Sequence, residues 1–316
     1  MTRRGTISNA AFRRITLCAL VALYTIVITG ALVRLTGSGL GCADWPRCSE
    51  ERFIDVSTGH GAIEQVNRLF TGVVALSVVL AVLGSLRLVT RRRDVTALSL
   101  GLVVGVLAQV VIGGIVVITG LNPWANMAHF LVSMVLLANG LVLHRLAADG
   151  AKSPTNTVPT NTLPTKTLPT YPMRLVMLTG VLGAAAVVTG TVVTATGPHA
   201  GDEEAVRFGF SIHHVARIHG STVMATVTGV AILLWVSRGR DRLFESRVAR
   251  LLGLALLQAL VGYVQYLADV PALLVAVHIA FAAGVWLALV DVVWLALVRR
   301  NRAASPRNGR SPALSR

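Results

Sequence analysis

The chain has 316 residues, of which 54% are hydrophobic and 14% are charged. This composition is too apolar for an ordinary soluble domain and indicates an integral membrane protein. The formal net charge of +15 does not indicate nucleic-acid binding, because the basic residues are spread over the segments between apolar runs and form no single binding face.

Eight apolar runs are long enough to cross about 30 Å of hydrocarbon, which takes roughly 20 helical residues. They predict membrane-spanning helices at about 14–34, 65–86, 95–118, 125–146, 174–196, 212–236, 248–267 and 272–298. The expected fold class is therefore an all-α membrane protein embedded in a lipid bilayer.

The basic residues also predict the orientation of these helices. Most of the 29 Lys and Arg residues lie at the two termini and in the connections after helices 2, 4 and 6. Because cytoplasmic segments are enriched in Lys and Arg, both termini are expected in the cytoplasm, with the chain in the cell membrane.

Cys42 and Cys48 lie in the predicted external loop between helices 1 and 2, within GLGCADWPRCSE. An oxidising compartment permits a disulfide there, and the short spacing allows a tight loop. Free thiols or a metal-binding pair are the alternatives that the spacing leaves open.

The second apolar run opens with the polar cluster Glu64-Gln65-Val66-Asn67-Arg68. A carboxylate and a guanidinium at a membrane boundary are costly to keep there, so such residues usually face a bundle interior and serve a site. Glu64 is therefore a candidate catalytic residue and Arg68 a candidate cofactor-binding residue. The alternative is a structural pair, four residues apart on one helix face, that caps and orients helix 2.

A Thr-Pro repeat, AKSPTNTVPTNTLPTKTLPTYP, divides the helices into four plus four. Its composition cannot bury a core and predicts an extended or disordered cytoplasmic linker. The expected domains are the N-terminal half, the linker, the C-terminal half and a basic cytoplasmic tail, at residues 1–150, 151–173, 174–298 and 299–316.

The two halves share sequence features that predict a duplication. Helix 1 ends with VITGALVRLTGSG and helix 5 with VVTGTVVTATGPH, and helices 2 and 6 open with IEQVNRL and IHHVARI. Since each half begins and ends in the cytoplasm, we expect two pseudo-symmetric four-helix bundles related by an axis along the membrane normal. The simpler alternative is a chance match, because Thr and Gly are common in packed membrane helices.

Histidines lie at a similar depth in corresponding helices of the halves. His129 is in helix 4 and His278 in helix 8, and His219 is the histidine of helix 6 that best matches their depth. Imidazole is a standard axial ligand of haem iron, and facing helices of a bundle are a usual place to hold one. A lone intramembrane histidine is more often a hydrogen-bond donor between helices, so it is the pairing of histidines that indicates ligation.

Two more residues of helix 6 are candidates. His214 stays open as an alternative ligand to His219, or as a residue that lines the external mouth or binds haem propionates. Arg217 is suited to haem propionates, because its guanidinium fork matches a carboxylate.

The loop TGSGLGCADWPRC, the cluster EQVNR, the single histidines of helices 4 and 8 and the duplicated eight-helix plan resemble haem A synthase, particularly its actinobacterial branch. The resemblance covers roughly residues 12–298. It implies oxidation of the C8 methyl of haem O to a formyl group, which gives the haem A of cytochrome c oxidase. It also implies a permanent haem b in the C-terminal half and substrate haem in the N-terminal half.

Carried over by position, the resemblance makes His219 and His278 the ligands of haem b and His129 a ligand of the substrate iron. It gives Glu64 a part in substrate oxidation, in proton transfer or in stabilising a cationic intermediate. It also implies that Cys42 and Cys48 form the first-loop disulfide. The implied partners are haem O, haem O synthase and an electron donor or acceptor that the sequence does not identify, while homo-oligomerisation stays open.

The chain departs from the family pattern at two places. Many members have histidine where this chain has Asn67, and an amide is a poor iron ligand. Many also have a second cysteine pair between helices 5 and 6, which GPHAGDEEAVRF lacks. The main alternative is a di-haem electron-transfer subunit resembling a membrane cytochrome b, which would need two histidines for each haem; a transporter is a third interpretation.

Overall fold

The computed structural model describes residues 6–150 and 172–304, which form eight helices and no strand. The helices are α1 (Asn9–Leu35), α2 (Gly59–Leu86), α3 (Arg93–Ile118), α4 (Pro123–Gly150), α5 (Met173–Thr196), α6 (Ile212–Ser237), α7 (Arg242–Leu267) and α8 (Ala272–Ala304). Each is long and apolar enough to cross a membrane. The predicted all-α fold with eight spanning helices is confirmed.

Three helices begin about one and a half turns earlier than hydropathy predicts, because polar side chains cap their first turns. The Ser8 and Thr58 hydroxyls accept hydrogen bonds from backbone N–H groups of α1 and α2, and the Asp241 carboxylate does so at α7. The cluster at Glu64–Arg68 consequently lies inside α2 and not at its start. IEQVNRL is therefore one turn out of register with IHHVARI, which does open α6.

The predicted linker at 151–173 lies outside the described residues except for Pro172 and Met173, where α5 begins. The predicted basic tail begins within a helix, because α8 continues past Arg299 to Ala304. The rest of that tail, at 305–316, also lies outside the described residues.

The helices pack as two rings of four. Within the first ring α1 contacts α2 and α4, and α3 contacts α2 and α4; the second ring repeats this arrangement with α5 to α8. The rings meet where α8 contacts α1 and α4, and where α4 contacts α5. We call the side with the α1–α2, α3–α4, α5–α6 and α7–α8 connections the loop face, and the opposite side the terminal face.

The turns from α3 to α4 and from α7 to α8 have the same backbone. Gly120 and Leu121 have φ values of 59° and 61°, and Asp269 and Val270 have 57° and 59°. Asp269 stands where the first turn has Gly120, and Val270, a β-branched residue that rarely adopts this conformation, stands where it has Leu121. The positive φ values are thus kept although the glycine is not. The repeated turn adds a conformational match to the sequence features shared by the halves.

Polar contacts join the two rings across the middle of the molecule. The Trp286 indole N–H donates to the Met134 carbonyl over 2.8 Å, and the Tyr24 hydroxyl donates to the Ala280 carbonyl over 2.8 Å. Buried polar groups need such partners in a membrane, where no water competes. These bonds fix α8 against both α1 and α4.

Nearer the terminal face, one carboxylate holds basic side chains from both rings. Asp291 Oδ1 lies 2.7 Å from Arg145 Nε and 3.0 Å from Arg247 Nη1. Since Arg145 belongs to α4 and Arg247 to α7, this ion pair network ties the rings together at the end opposite the loop face.

Candidate functional site

A cavity of about 1270 Å³ extends through both rings. Typical pockets for one small ligand occupy about 300–1,000 Å³, so this cavity has room for more than one. Histidines line it from both halves, namely His129, His199, His213, His219 and His278. The polar side chains that the sequence placed at one depth therefore do converge on a shared space.

In the second half, His219 on α6 faces His278 on α8. Their ring centroids are 6.5 Å apart and the rings are inclined at 80°. Two in-line nitrogen–metal bonds of about 2 Å each, together with the radii of two imidazoles, come to about 6 Å. The pair can therefore hold one metal ion between the rings.

The described part of the chain holds no cluster of three or more His, Cys, Asp or Glu side chains that could bind a bare metal ion. Two facing imidazoles instead suit a metal that brings its own equatorial ligands, as haem iron does. The donor set of the second half therefore fits a haem.

Neighbouring side chains hold both histidines. Thr189 Oγ1 lies 3.2 Å from His219 Nδ1. The Gln258 amide nitrogen donates to the His278 carbonyl over 3.0 Å and lies 2.9 Å from its Nδ1 and 3.0 Å from its Nε2. Such outer contacts orient the rings of ligand histidines.

Each of these histidines also packs against a glycine of the preceding helix. A methyl group added at Gly190 would lie 3.1 Å from His219 Cε1, and one added at Gly262 would lie 2.9 Å from His278 Cε1. No side chain larger than hydrogen fits at either place without displacing the ring. The second-half histidines are therefore closely confined.

The first half repeats this arrangement around His129 with more room. The Gln109 amide donates to the His129 carbonyl over 3.0 Å and to the Ser133 hydroxyl. A methyl group at Gly113 would lie 3.4 Å from His129 Cε1, which is an ordinary contact distance. Within residues 6–150 and 172–304 no group hydrogen-bonds to the buried His129 Nδ1.

Asn67 stands in the first half where His219 stands in the second. Its amide nitrogen is the nearest atom to a methyl group added at Gly30, at 4.0 Å, just as His219 is nearest to Gly190. Both glycines follow a threonine, at Thr29 and Thr189, which gives a structural meaning to the repeated TG. Asn67 Oδ1 is buried without a hydrogen-bond partner in the described residues, and Asn67 lines the cavity.

Glu64 lines the same cavity and is 5% exposed. Its Oε2 accepts a hydrogen bond from the Cys42 backbone N–H over 2.8 Å, and its Oε1 accepts two from Arg68, over 2.9 and 2.6 Å. Arg68 Nη1 and Nη2 donate to the carbonyls of Asp44 and Arg47. All five N–H donors of the guanidinium are thus used, and none is left for a further carboxylate.

The predicted loop disulfide is present, between Cys42 and Cys48. Together with the bonds from Glu64 and Arg68, it fastens residues 42–48 to the loop-face end of α2. The predicted pair of Glu64 and Arg68 is therefore present, and both side chains also form hydrogen bonds with backbone groups of the loop.

The other predicted residues of helix 6 occupy different positions. Arg217 lines the cavity and is exposed, and the described residues offer it no hydrogen-bond or ion-pair partner. His214 is exposed and lies outside the cavity lining, whereas the adjacent His213 lines it and lies 3.1 Å from the Tyr266 hydroxyl. The geometry thus favours His219 over His214 as the partner of His278.

Hydropathy and depth did not identify Gln109 and Gln258. Both stand four residues before a glycine that contacts a histidine, in QVVIG and QALVG. This repeated Gln-x-x-x-Gly pattern is the signal that could have found them. It places the amide and the glycine on one helix face.

The fold and the cavity define a multi-pass membrane protein with paired intramembrane histidines. The family model described as "Cytochrome oxidase assembly protein" matches residues 13–290. The chain therefore belongs to that family.

Curated relatives include the heme A synthases of Bacillus pumilus (strain SAFR-032), Geobacillus thermodenitrificans and Lysinibacillus sphaericus (strain C3-41), each 32% identical to this chain. The similar stretches cover 47%, 43% and 43% of this chain and 48%, 44% and 44% of those proteins. The chain thus matches about half of their length or less.

Replacing Arg68 by Gln should release the loop at 42–48, because several charged hydrogen bonds are lost at once. We expect trypsin to cleave after Arg47 and Arg52 about tenfold faster in the purified variant, as local opening becomes easier. Cleavage after Arg207, in the α5–α6 connection, is the internal control. Arg87→Gln, at the other end of α2, is the matched control variant. Equal rates of cleavage after Arg47 and Arg52 in both variants would contradict the role of Arg68 in holding the loop.

Proposed function

We propose that this protein is a haem A synthase, which oxidises the C8 methyl group of haem O to a formyl group and so produces haem A for cytochrome c oxidase. The observation that carries the proposal is the asymmetry of one cavity. Its second half has two facing imidazoles, whereas its first half is lined by His129 and by the amide of Asn67. A haem that stays bound needs the first kind of site, with two imidazoles. A haem that must be released needs the second kind, with one.

His219 and His278 hold haem b in this proposal. Their separation of 6.5 Å and their confinement by Gly190 and Gly262 support a permanent bis-histidine site. Haem b, when bound, supplies one-electron oxidation and reduction. Arg217 lines the cavity near the loop face and is the guanidinium that can receive a haem propionate.

His129 holds the iron of the substrate, haem O. Asn67 supplies no good iron ligand opposite it, so the substrate is held by one imidazole. The wider clearance at Gly113 and the unbonded Nδ1 of His129 support a site that accepts and releases its occupant. The apolar cavity walls suit the farnesyl tail of haem O, with the carboxylates directed to the loop face.

Glu64 acts at the wall of the substrate site. Its carboxylate lies one helical turn from Asn67 and is held by Arg68 and by the Cys42 N–H. A fixed negative charge at this place stabilises positive charge that develops on the substrate during oxidation. The same bonds keep the 42–48 loop over the site.

Conversion of a methyl to a formyl group removes electrons and protons and adds one oxygen atom. The reaction therefore needs an electron acceptor and an oxygen source besides this chain. We propose haem O synthase as the supplier of the substrate, and the cell membrane as the location, with the loop face external and both termini cytoplasmic. The excess of basic residues on the terminal face supports this orientation.

The electron-carrier alternative receives no support from the first half. A permanent di-haem carrier requires two axial ligands at each haem, and His129 is the one histidine of the described N-terminal half that lines the cavity. His60 and His144 bond instead to Ser38 and Thr16.

The proposal is tested by expressing the chain in cells that make haem O, then extracting and chromatographing the haems. We expect haem A, and we expect Glu64→Ala to lower its yield about 100-fold, because a fixed charge at the reacting group is lost. Glu203→Ala, in the exposed α5–α6 connection, is the control and should not change the yield. Haem b alone from the wild-type chain would contradict the proposal.

The ligand assignment is tested by leucine substitutions, with haem b measured in the purified proteins. His219→Leu and His278→Leu should lose haem b, because one imidazole cannot retain it in a bis-histidine site. His129→Leu should keep haem b and lose conversion of haem O. His214→Leu is the matched control on the same helix, and loss of haem b from it but not from His219→Leu would reverse the assignment.

A further inference from the structure

Trp45 enters the first-half cavity from the disulfide loop. It lies between Cys42 and Cys48, is half-buried and lines the cavity. A methyl group added at Gly114 of α3 would lie 2.7 Å from Trp45 Cδ2, so the indole packs directly against that helix. The α1–α2 loop thus forms part of the cavity wall, with Pro46 and Phe53 lining it besides Trp45.

The place that Trp45 reaches adjoins His129. Gly113 is the glycine that contacts the His129 ring, and Gly114 is the next residue of the same helix. Consecutive Cα atoms are about 3.8 Å apart, so the indole and the imidazole rest on neighbouring residues of α3. Trp45 and His129 thus lie on adjoining sides of α3, and both line the cavity.

Glu64 and Arg68 hold the loop on both sides of this tryptophan. Arg68 donates to the carbonyl of Asp44, immediately before Trp45, and to that of Arg47, shortly after it. Glu64 accepts from the Cys42 N–H at the start of the loop. The bonds made by the polar cluster of α2 thus set the position of the indole.

The second half supplies its aromatic side chain differently. Gly262 corresponds to Gly113 through its contact with the ligand histidine, and the residue after it is Tyr263, which also lines the cavity. The aromatic ring there is part of α7 itself. In the first half the helix has a second glycine instead, and the ring comes from a loop.

We propose that Trp45 is a substrate-contacting residue, whose indole packs on haem O beside His129 and is held there by Glu64 and Arg68. Aromatic rings favour offset or edge-on packing against one another, and a flat macrocycle offers a large aromatic surface to the indole. This inference rests on the proposed use of the first half for haem O.

The test is a titration of the purified protein, carrying its haem b, with haem O, followed by absorption. Trp45→Ala should raise the Kd for haem O about fivefold to tenfold, whereas Trp45→Phe, which keeps an aromatic ring, should stay within about twofold. Gly114→Ala should weaken binding like Trp45→Ala, because it displaces the indole while leaving the loop sequence intact. Gly72→Ala is the control, since nothing lies within 4 Å of a methyl group there.

Haem b content reports the fold of every variant, and Gly114→Ala carries the test if Trp45→Ala fails to fold. Unchanged Kd values in both variants would overturn the role of Trp45 while leaving the proposed function in place. If the wild-type protein does not oxidise haem O, but its Kd for haem O rises in the Trp45→Ala and Gly114→Ala variants, the proposed function is wrong and the inference about Trp45 stands. A wild-type protein that binds no haem O would contradict both.

Discussion

The contact between a glycine and a polar side chain of the next helix is the interaction on which the site depends. Lipid gives helices little hydrophobic reason to associate, so small residues that allow close approach set where helices meet. Here four such glycines fix the depth and direction of the side chains that enter the cavity, at Gly30, Gly113, Gly190 and Gly262. The distance from a methyl group added at the glycine to the facing side chain is smallest at His219 and His278 and larger at His129 and Asn67. The same helix arrangement therefore gives a tight site in the second half and a looser one in the first.

The α1–α2 loop adds to this difference. In the first half, Glu64 and Arg68 direct their hydrogen bonds to the loop, so two charged residues near hydrocarbon are satisfied by backbone groups and by each other. Burying a charged pair is tolerated when its remaining donors and acceptors are all used. The hydrogen bonds that offset the cost of burying this charged pair also place Trp45 in the cavity. Structural and functional interpretations of the polar cluster are therefore compatible.

Hydropathy predicts the eight helices well, because about 20 apolar residues are unavoidable for a spanning helix. It misplaces the starts of α1, α2 and α7, where capping by Ser8, Thr58 and Asp241 extends the helix into polar sequence. Counting residues from the helix ends correctly predicts that the three candidate ligand histidines line one cavity, since depth in the membrane depends only on residue number. It does not reveal Gln258, the glycine contacts or the use of every Arg68 donor, because these depend on which way a side chain points around its helix.

The central claim is that the two halves bind haem through different ligation, because Asn67 stands where the second half has His219. The spin state of ferric haem O bound to the wild-type protein and to Asn67→His, measured by electron paramagnetic resonance, tests this most directly. We expect a high-spin substrate haem in the wild type, held by His129 alone, and a low-spin, bis-histidine haem in Asn67→His, with the haem b signal unchanged. A low-spin substrate haem in the wild type, identical to that of the variant, would contradict the account.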